Sequence, residues 1–448
     1  KFMLMTPPPP PPPGTSVGSV GSDPPEISVP SFTPSPSVSW LLGSVTKGSA
    51  EASAPSLWTR PALRVALVYL SARVVTSAFF VLASALAPAD ARHGQGATIG
   101  TYVLAWDAQW YWLIAFQGYP TELPLTEAGR VAENAWAFMP LYPALSAVVA
   151  APFGHWGVGA FLVTLTAGYG CALVLHRMFR ERLGESAALW GVVFFSAGPL
   201  AALLQVGYAE ALFLFFLLLA IRCVQKRRYG WLYLLIPLMG FTRPGVLAFA
   251  LFLALYGLWR LTRRTVEPVT RRDVVHILAL GALATIVGFS WQVIAAVVTT
   301  DASAYLETEL AWRRQWVGDA GGFLPFEGWV QGATFWFPRW GLPAWLGVTA
   351  LVLLVAAVAA LLLLEPHVRR LGIEVRLWSA SYLVYLLAVF FPQSSTFRLL
   401  FPLAPLAGAL AVPPSRRWRI GVLVACLIGQ VVWIYNMYTL GNTFWRIP

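Results

Sequence analysis

From Trp340 to Leu364 the sequence carries no charged residue, and the run GVTALVLLVAAVAALLLL at 347–364 has one threonine as its only polar side chain. A helix needs about 20 such residues to cross the hydrocarbon of a bilayer. The pattern recurs along the chain. Apolar segments stand at 62–87, 138–152, 158–176, 187–205, 208–224, 231–241, 244–258, 274–299, 342–364, 375–391, 397–413 and 419–438. In lipid, each backbone N–H and C=O must be satisfied inside the segment, so runs of this kind fold as helices. Charged residues make up only 11% of the 448, against about 25% in soluble proteins. The expectation is an all-α polytopic membrane protein.

The charges that remain are sorted. Eighteen Lys and Arg residues fall in five short connections, around 177–182, 222–228, 260–272, 369–376 and 416–419. The other connections and the C-terminal tail hold seven: Arg92, Arg130, Arg313, Arg314, Arg339, Arg398 and Arg446. Basic short loops stay cytoplasmic, so the formal net charge of +11 reads as topology and excludes a nucleic-acid footprint. Segment 138–152 is short and carries two prolines. The pair 231–241 and 244–258 must enter and leave between two basic loops. Both read as short or re-entrant helices, a geometry that lines cavities in membrane proteins. The expected count is about nine full spans plus these pieces. The N-terminus is expected in the cytoplasm and the C-terminus outside, with two large external loops at 88–137 and 300–341.

Residues 1–57 are Pro, Ser and Gly rich, with an unbroken proline run at 7–13. Such a stretch cannot bury enough apolar surface to fold, and reads as a disordered cytoplasmic tail. The three cysteines lie in or beside apolar runs, and the five histidines are scattered. No disulfide framework and no metal cluster is implied.

The external loops are unusually aromatic. The strip WDAQWYWLIAFQGYP at 106–120 places one acid, Asp107, among three tryptophans and two tyrosines. Some of these rings belong to an interfacial aromatic belt. Others could stack on sugar rings. The strip is followed by AFMPLYPAL at 137–145, GYAEALFL at 207–214, FTRPG at 241–245 and STFRLLFPLAPLAG at 395–408. In this order the set resembles the PIG-V family, the second mannosyltransferase of glycosylphosphatidylinositol assembly, and its bacterial relatives. These belong to the GT-C class of membrane glycosyltransferases, and the resemblance covers most of 60–440. Two departures stand out: Ala108 follows the Trp-Asp pair where the family has Gly or Ser, and Arg398-Leu399 stands where relatives often read Arg-Tyr.

The resemblance implies transfer of a sugar, usually mannose, from a polyprenyl-phosphate donor at the non-cytoplasmic face. The catalytic acid sits in the first external loop, which is the position of Asp107. The acceptor would be a hydroxyl of a glycolipid, lipoglycan or wall polysaccharide, and the enzyme would lie in the plasma membrane. Such a reaction needs a base for the acceptor hydroxyl and cations for the departing phosphate. Asp107 is the candidate base, with helix N-capping as its alternative. Trp110, Tyr111 and Ile114 would share its helix face, and their rings would raise its carboxyl pKa. Trp106 and Tyr142 complete the aromatic candidates. Arg243 is an arginine at membrane depth, by default a functional residue, and it suits phosphate. Its alternative is a pairing with Glu210. Arg398 and Arg313 are further phosphate candidates. Glu210 could orient substrate or serve the dipole of its helix. Glu309 could touch substrate or pair with Arg313 at i, i+4. No cofactor is expected. No Asp-x-Asp pair occurs, although a divalent metal stays open. The competing reading is a lipid-linked-sugar flippase or transporter, which would predict internal repeats and midplane charges.

Overall fold

The computed structural model describes residues 61–318, 322–441 and 448. The expected tail at 1–57 lies outside the described residues. Among those described, the secondary structure is helical, with one isolated bridge between Leu125 and Val131. The sequence therefore folds as the apolar runs require, into an all-α membrane protein.

Helix α1 (Pro61–Ala85) leads into the first long loop, which holds α2 (Ile99–Val103) and α3 (Asp107–Gln117). Then follow α4 (Leu141–Ala150), α5 (Trp156–Leu183), α6 (Glu185–Ser196), α7 (Glu210–Gln225), α8 (Leu232–Gly240), α9 (Val246–Thr262) and α10 (Arg271–Thr299). The second long loop carries α11 (Ala304–Val317) and α12 (Glu327–Arg339). The chain ends with α13 (Ala344–Leu364), α14 (Pro366–Arg370), α15 (Ile373–Val389), α16 (Thr396–Leu399), α17 (Ala407–Ala411) and α18 (Arg416–Trp433).

Five helices among the described residues are long and apolar enough to cross a membrane: α1, α5, α10, α13, and α18 with its π-helical extension to Leu440. The remaining apolar helices are shorter, and two of the expected spans are broken for a visible reason. The segment 187–205 stops as a helix at Ser196, before Gly198 and Pro199, and resumes as a 3-10 turn at Ala201–Leu204. The segment 397–413 is divided into α16, a 3-10 stretch Phe401–Leu406 and α17. Pro402 and Pro405 lack the N–H that an unbroken α-helix would use there.

The short segments expected at 138–152 and 231–258 are short helices in the structure. Pro140 caps α4, and Pro143 sits in its first turn, where a missing N–H costs nothing. The backbone N–H of Leu141 donates to the Phe241 carbonyl at 2.9 Å. This bond pins the start of α4 to the turn between α8 and α9, where Gly245 adopts φ +134°. Helix α5 is the central element, with buried residues around most of its surface. At Gly159 it presses on α4 so closely that a Cβ would lie 2.1 Å from the Ser146 carbonyl oxygen.

The two long loops are tied to each other and to the bundle. Trp136, Tyr119 and Trp291 of α10 pack in tilted and edge-on pairs with centroids 4.7–5.2 Å apart. The Trp291 indole donates to the Trp136 carbonyl at 2.9 Å. Asn134 of the first loop donates to Thr308 of α11 at 2.8 Å. Buried polar groups at these points are satisfied, which fixes the loops against the bundle.

Candidate active site

The site begins where α3 starts. Trp106 takes φ +56°, a conformation bulky residues rarely hold. Its indole donates to the Met437 carbonyl at 3.0 Å, and the Arg92 guanidinium lies 3.9 Å from its ring. These contacts keep the strained residue in place. The next residue, Asp107, is the first of the helix. The capping alternative is corrected here: Trp106 occupies the cap position, with no side-chain cap bond. The Asp107 carboxylate instead accepts from Arg398 Nη1 at 2.5 Å.

Arg398 is one member of an alternating chain of charges. Its Nε lies 3.4 Å from Glu210 Oε1, and Arg243 Nη1 lies 3.2 Å from the same oxygen. Glu210 is 2% exposed, at the start of α7. Two acids thus face two arginines. The expected alternative for Arg243, a pairing with Glu210, is what the structure contains. Both contacts to Glu210 are ion pairs by distance but miss hydrogen-bond direction. Arg243 Nη1 and Arg398 Nε are therefore buried donors without an acceptor among the described residues.

Burial pushes the Asp107 carboxyl above its ordinary range; Arg398 pulls it back and Glu210 adds to the rise. Burial opposes the charge on Arg398, but Asp107 and Glu210 outweigh it and hold the guanidinium protonated. Burial also pushes the Tyr111 hydroxyl up.

Asp107, Arg243 and Arg398 line one cavity of about 640 Å³. Tyr111 lies on its wall too, as do Tyr305, Glu309, Trp312 and Arg313 of α11. The other candidates stand behind the wall. Trp106 holds the turn. Trp110 stacks on Phe138, 5.8 Å between centroids. Tyr142 is fully buried, its hydroxyl 3.1 Å from the Ala160 carbonyl and 2.8 Å from Thr164 Oγ1. Glu210 sits beneath the two arginines and is likewise not among the lining residues.

The pairing of Glu309 with Arg313 is not formed. Arg313 turns to α12, where it hydrogen-bonds Gln331 and lies 3.7 Å from Glu327. Arg314 pairs with Glu307 at 3.0 Å. Glu309 is left facing the cavity beside Tyr305, and burial pushes its carboxyl up to about 7. The neighbouring helix offers Arg313 an acid and an amide together, which a single-helix reading cannot foresee.

Sequence reasoning missed Tyr382 and Tyr385 of α15, which also line the cavity. The Tyr382 hydroxyl donates to the Leu399 carbonyl at 2.8 Å and so steadies the turn that carries Arg398. Their spacing of three on one helix, just before the STFR block, was the available signal. Among the described residues no group of three or more His, Cys, Asp or Glu side chains stands together.

A larger, almost wholly apolar cavity of about 1220 Å³ lies beyond α16. Phe397 and Leu400 line it, while Arg398 and Leu399 line the smaller one. One short turn thus separates the two spaces.

No known family matches the chain, and no curated protein matches it. Among solved structures, the chain is similar to the crystal structure of ArnT from Cupriavidus metallidurans bound to undecaprenyl phosphate, with a TM-score of 0.44 and 16% identity. The match covers 84% of this chain and 65% of ArnT, so the chain spans a little under two thirds of that protein.

Proposed function

We propose that this chain is a membrane glycosyltransferase of the GT-C class. It moves a sugar, usually mannose in the PIG-V family it resembles, from a polyprenyl-phosphate donor to a hydroxyl of a glycolipid, lipoglycan or wall polysaccharide. The active site would face the non-cytoplasmic side of the plasma membrane. One observation carries this reading: a carboxylate and two arginines with unfilled donors line one cavity beside the first long loop.

Arg398 and Arg243 would take the donor phosphate. An arginine fork matches phosphate oxygens, and the orphan N–H groups cost free energy until an acceptor fills them. Phosphate arriving at Arg398 competes with Asp107 for the guanidinium and loosens the resting pair. Asp107 then accepts the proton of the acceptor hydroxyl. The acceptor oxygen bonds to the anomeric carbon as the bond from that carbon to the phosphate oxygen breaks. Its electron pair leaves with polyprenyl phosphate, whose charge the arginines hold. One displacement inverts the anomeric centre.

The test compares wild type with Asp107→Asn in nanodiscs, with polyprenyl-phosphate mannose as donor and a membrane glycolipid extract as acceptor. A positioned base contributes about 10²- to 10⁴-fold. Transfer should fall by at least about 100-fold while the variant keeps its near-UV circular dichroism and binds polyprenyl phosphate. Transfer at the wild-type rate would remove Asp107 from the role of base.

A further inference from the structure

Within the proposed site, the orphaned polar atoms fall into two chemically different groups. Arg243 and Arg398 present cationic donors. Helix α11 presents something else. Tyr305, Glu309 and Trp312 stand at i, i+4 and i+7, a spacing that keeps them on one helix face, and all three line the cavity. The Glu309 carboxyl has the Tyr305 side chain as its neighbour, and no ion pair to it is found among the described residues. The Trp312 indole N–H is buried and has no acceptor there. An acceptor and a donor thus stand one helical turn apart, each with capacity unused. The Trp312 ring meets Trp110 and Phe138 edge-on, with centroids 6.1 Å away in both cases. The walls around the pair are aromatic.

A phosphate does not fit here, because a carboxylate repels it. A cation fits poorly beside Arg313. A polyhydroxylated ring fits well. One hydroxyl donates to the carboxylate, another accepts from the indole, and the apolar ring face lies on aromatic carbon. We propose that Glu309, with Trp312, is the sugar-recognising pair of this cavity, and that it sets which way a phosphate-linked sugar enters. The inference rests on the proposed function for the phosphate half: arginines take the phosphate, and the α11 face takes the sugar ring. The ring can belong to the donor or to the acceptor.

The pair should be sensitive to pH. The carboxylate is the better acceptor for hydroxyls, and burial pushes the Glu309 carboxyl up to about 7. Sugar recognition should be present above that value and fade as pH falls through it. The groups facing Glu309 are two phenols. They are Tyr305 on its own helix and Tyr385 on α15. The charged residues around the cavity are Asp107, Arg243, Arg313 and Arg398.

The experiment uses the full chain in nanodiscs and three probes: polyprenyl-phosphate mannose, bare polyprenyl phosphate, and free methyl mannoside, glucoside and galactoside. Binding is read by calorimetry and by tryptophan fluorescence. Variants are Glu309→Gln, which keeps the shape, and Trp312→Phe, which keeps the ring without the N–H. Wild type should prefer the sugar-bearing lipid to the bare one, or bind a free glycoside, and Glu309→Gln should weaken that recognition about 10- to 100-fold, the size of a charge-assisted hydrogen bond. The wild-type preference should fade below pH 7, and the Gln variant should show no such dependence. Loss of the donor preference assigns the ring to the donor; loss of glycoside binding alone assigns it to the acceptor. Unchanged recognition in both variants, or none in wild type, overturns the inference. If bare polyprenyl phosphate fails to bind, the phosphate reading fails, and the glycoside arm still judges Glu309.

Discussion

Glu210→Gln should destabilise the protein far more than the loss of an exposed acid, and a second substitution should return part of the loss. Glu210 is 2% exposed, and the Arg243 and Arg398 side chains are each 11% exposed. One oxygen serves both, at 3.2 and 3.4 Å. At an effective dielectric of about 20, each contact carries roughly 5 kcal/mol of Coulomb attraction. Desolvation offsets most of this while the network is whole. When one partner is removed, the desolvation cost of the other stays, and such losses run about 3–5 kcal/mol. Arg398 still has Asp107, so Arg243 is the group stranded. The double variant Glu210→Gln, Arg243→Gln restores neutrality. It should be more stable than the sum of the single variants by about 1–3 kcal/mol, the usual coupling between contacting residues. Glu185→Gln is the control. Glu185 meets Arg64 at 2.8 Å with both side chains more than a third exposed, so screening leaves about 0–1 kcal/mol. The assay is reversible unfolding by SDS from mild detergent micelles, followed by near-UV circular dichroism. A Glu210→Gln loss no larger than the Glu185→Gln loss, or strict additivity in the double variant, would refute the charge-network argument.

Two glycines give further tests. A Cβ at Gly207 would meet the Val103 carbonyl oxygen at 2.9 Å and the Ala108 Cβ at 3.2 Å, so Gly207→Ala should push on the residue next to Asp107. A misplacement of about 1 Å costs about 100-fold in rate; sugar-transfer assays should show at least about a tenfold loss, with Gly281→Ala, which meets open space, at the wild-type rate. Gly159→Ala places a methyl 2.1 Å from the Ser146 carbonyl oxygen, and should cost about 1–3 kcal/mol by overpacking in the same unfolding assay, driving α4 away from α5.

Much of the fold was legible because lipid leaves few choices. A run such as 347–364 has one stable form in hydrocarbon, and helix α13 occupies Ala344–Leu364. The short helices at 138–152 and 231–258 were legible for a related reason: prolines and charge placement forbade full spans. Where the reading was too simple, the cause was local. Proline inside 397–413 removes backbone donors, and hydropathy does not register the loss. A run of the same composition without Pro402 and Pro405 would have stayed one helix.

The site was legible one residue at a time and illegible in its pairings. Asp107, Glu210, Arg243 and Arg398 each stand out in sequence because a charge in an apolar setting is costly. The same cost explains why they occur together. None could be buried alone, but two acids and two arginines form a neutral set. That set needs α3, α7, the turn after α8, and α16 to meet, and the spacing along a chain does not state which helices meet. Glu309 shows the converse. Its i, i+4 spacing to Arg313 suggested a partner, and α12 supplied Arg313 with a better one. The carboxyl left over faces the cavity with Tyr305 and Tyr385 beside it and no ion pair among the described residues. An acid that folding leaves without a cation, beside a cavity, is therefore the stronger functional signal of the two: the paired acids already answer to the fold, and Glu309 does not.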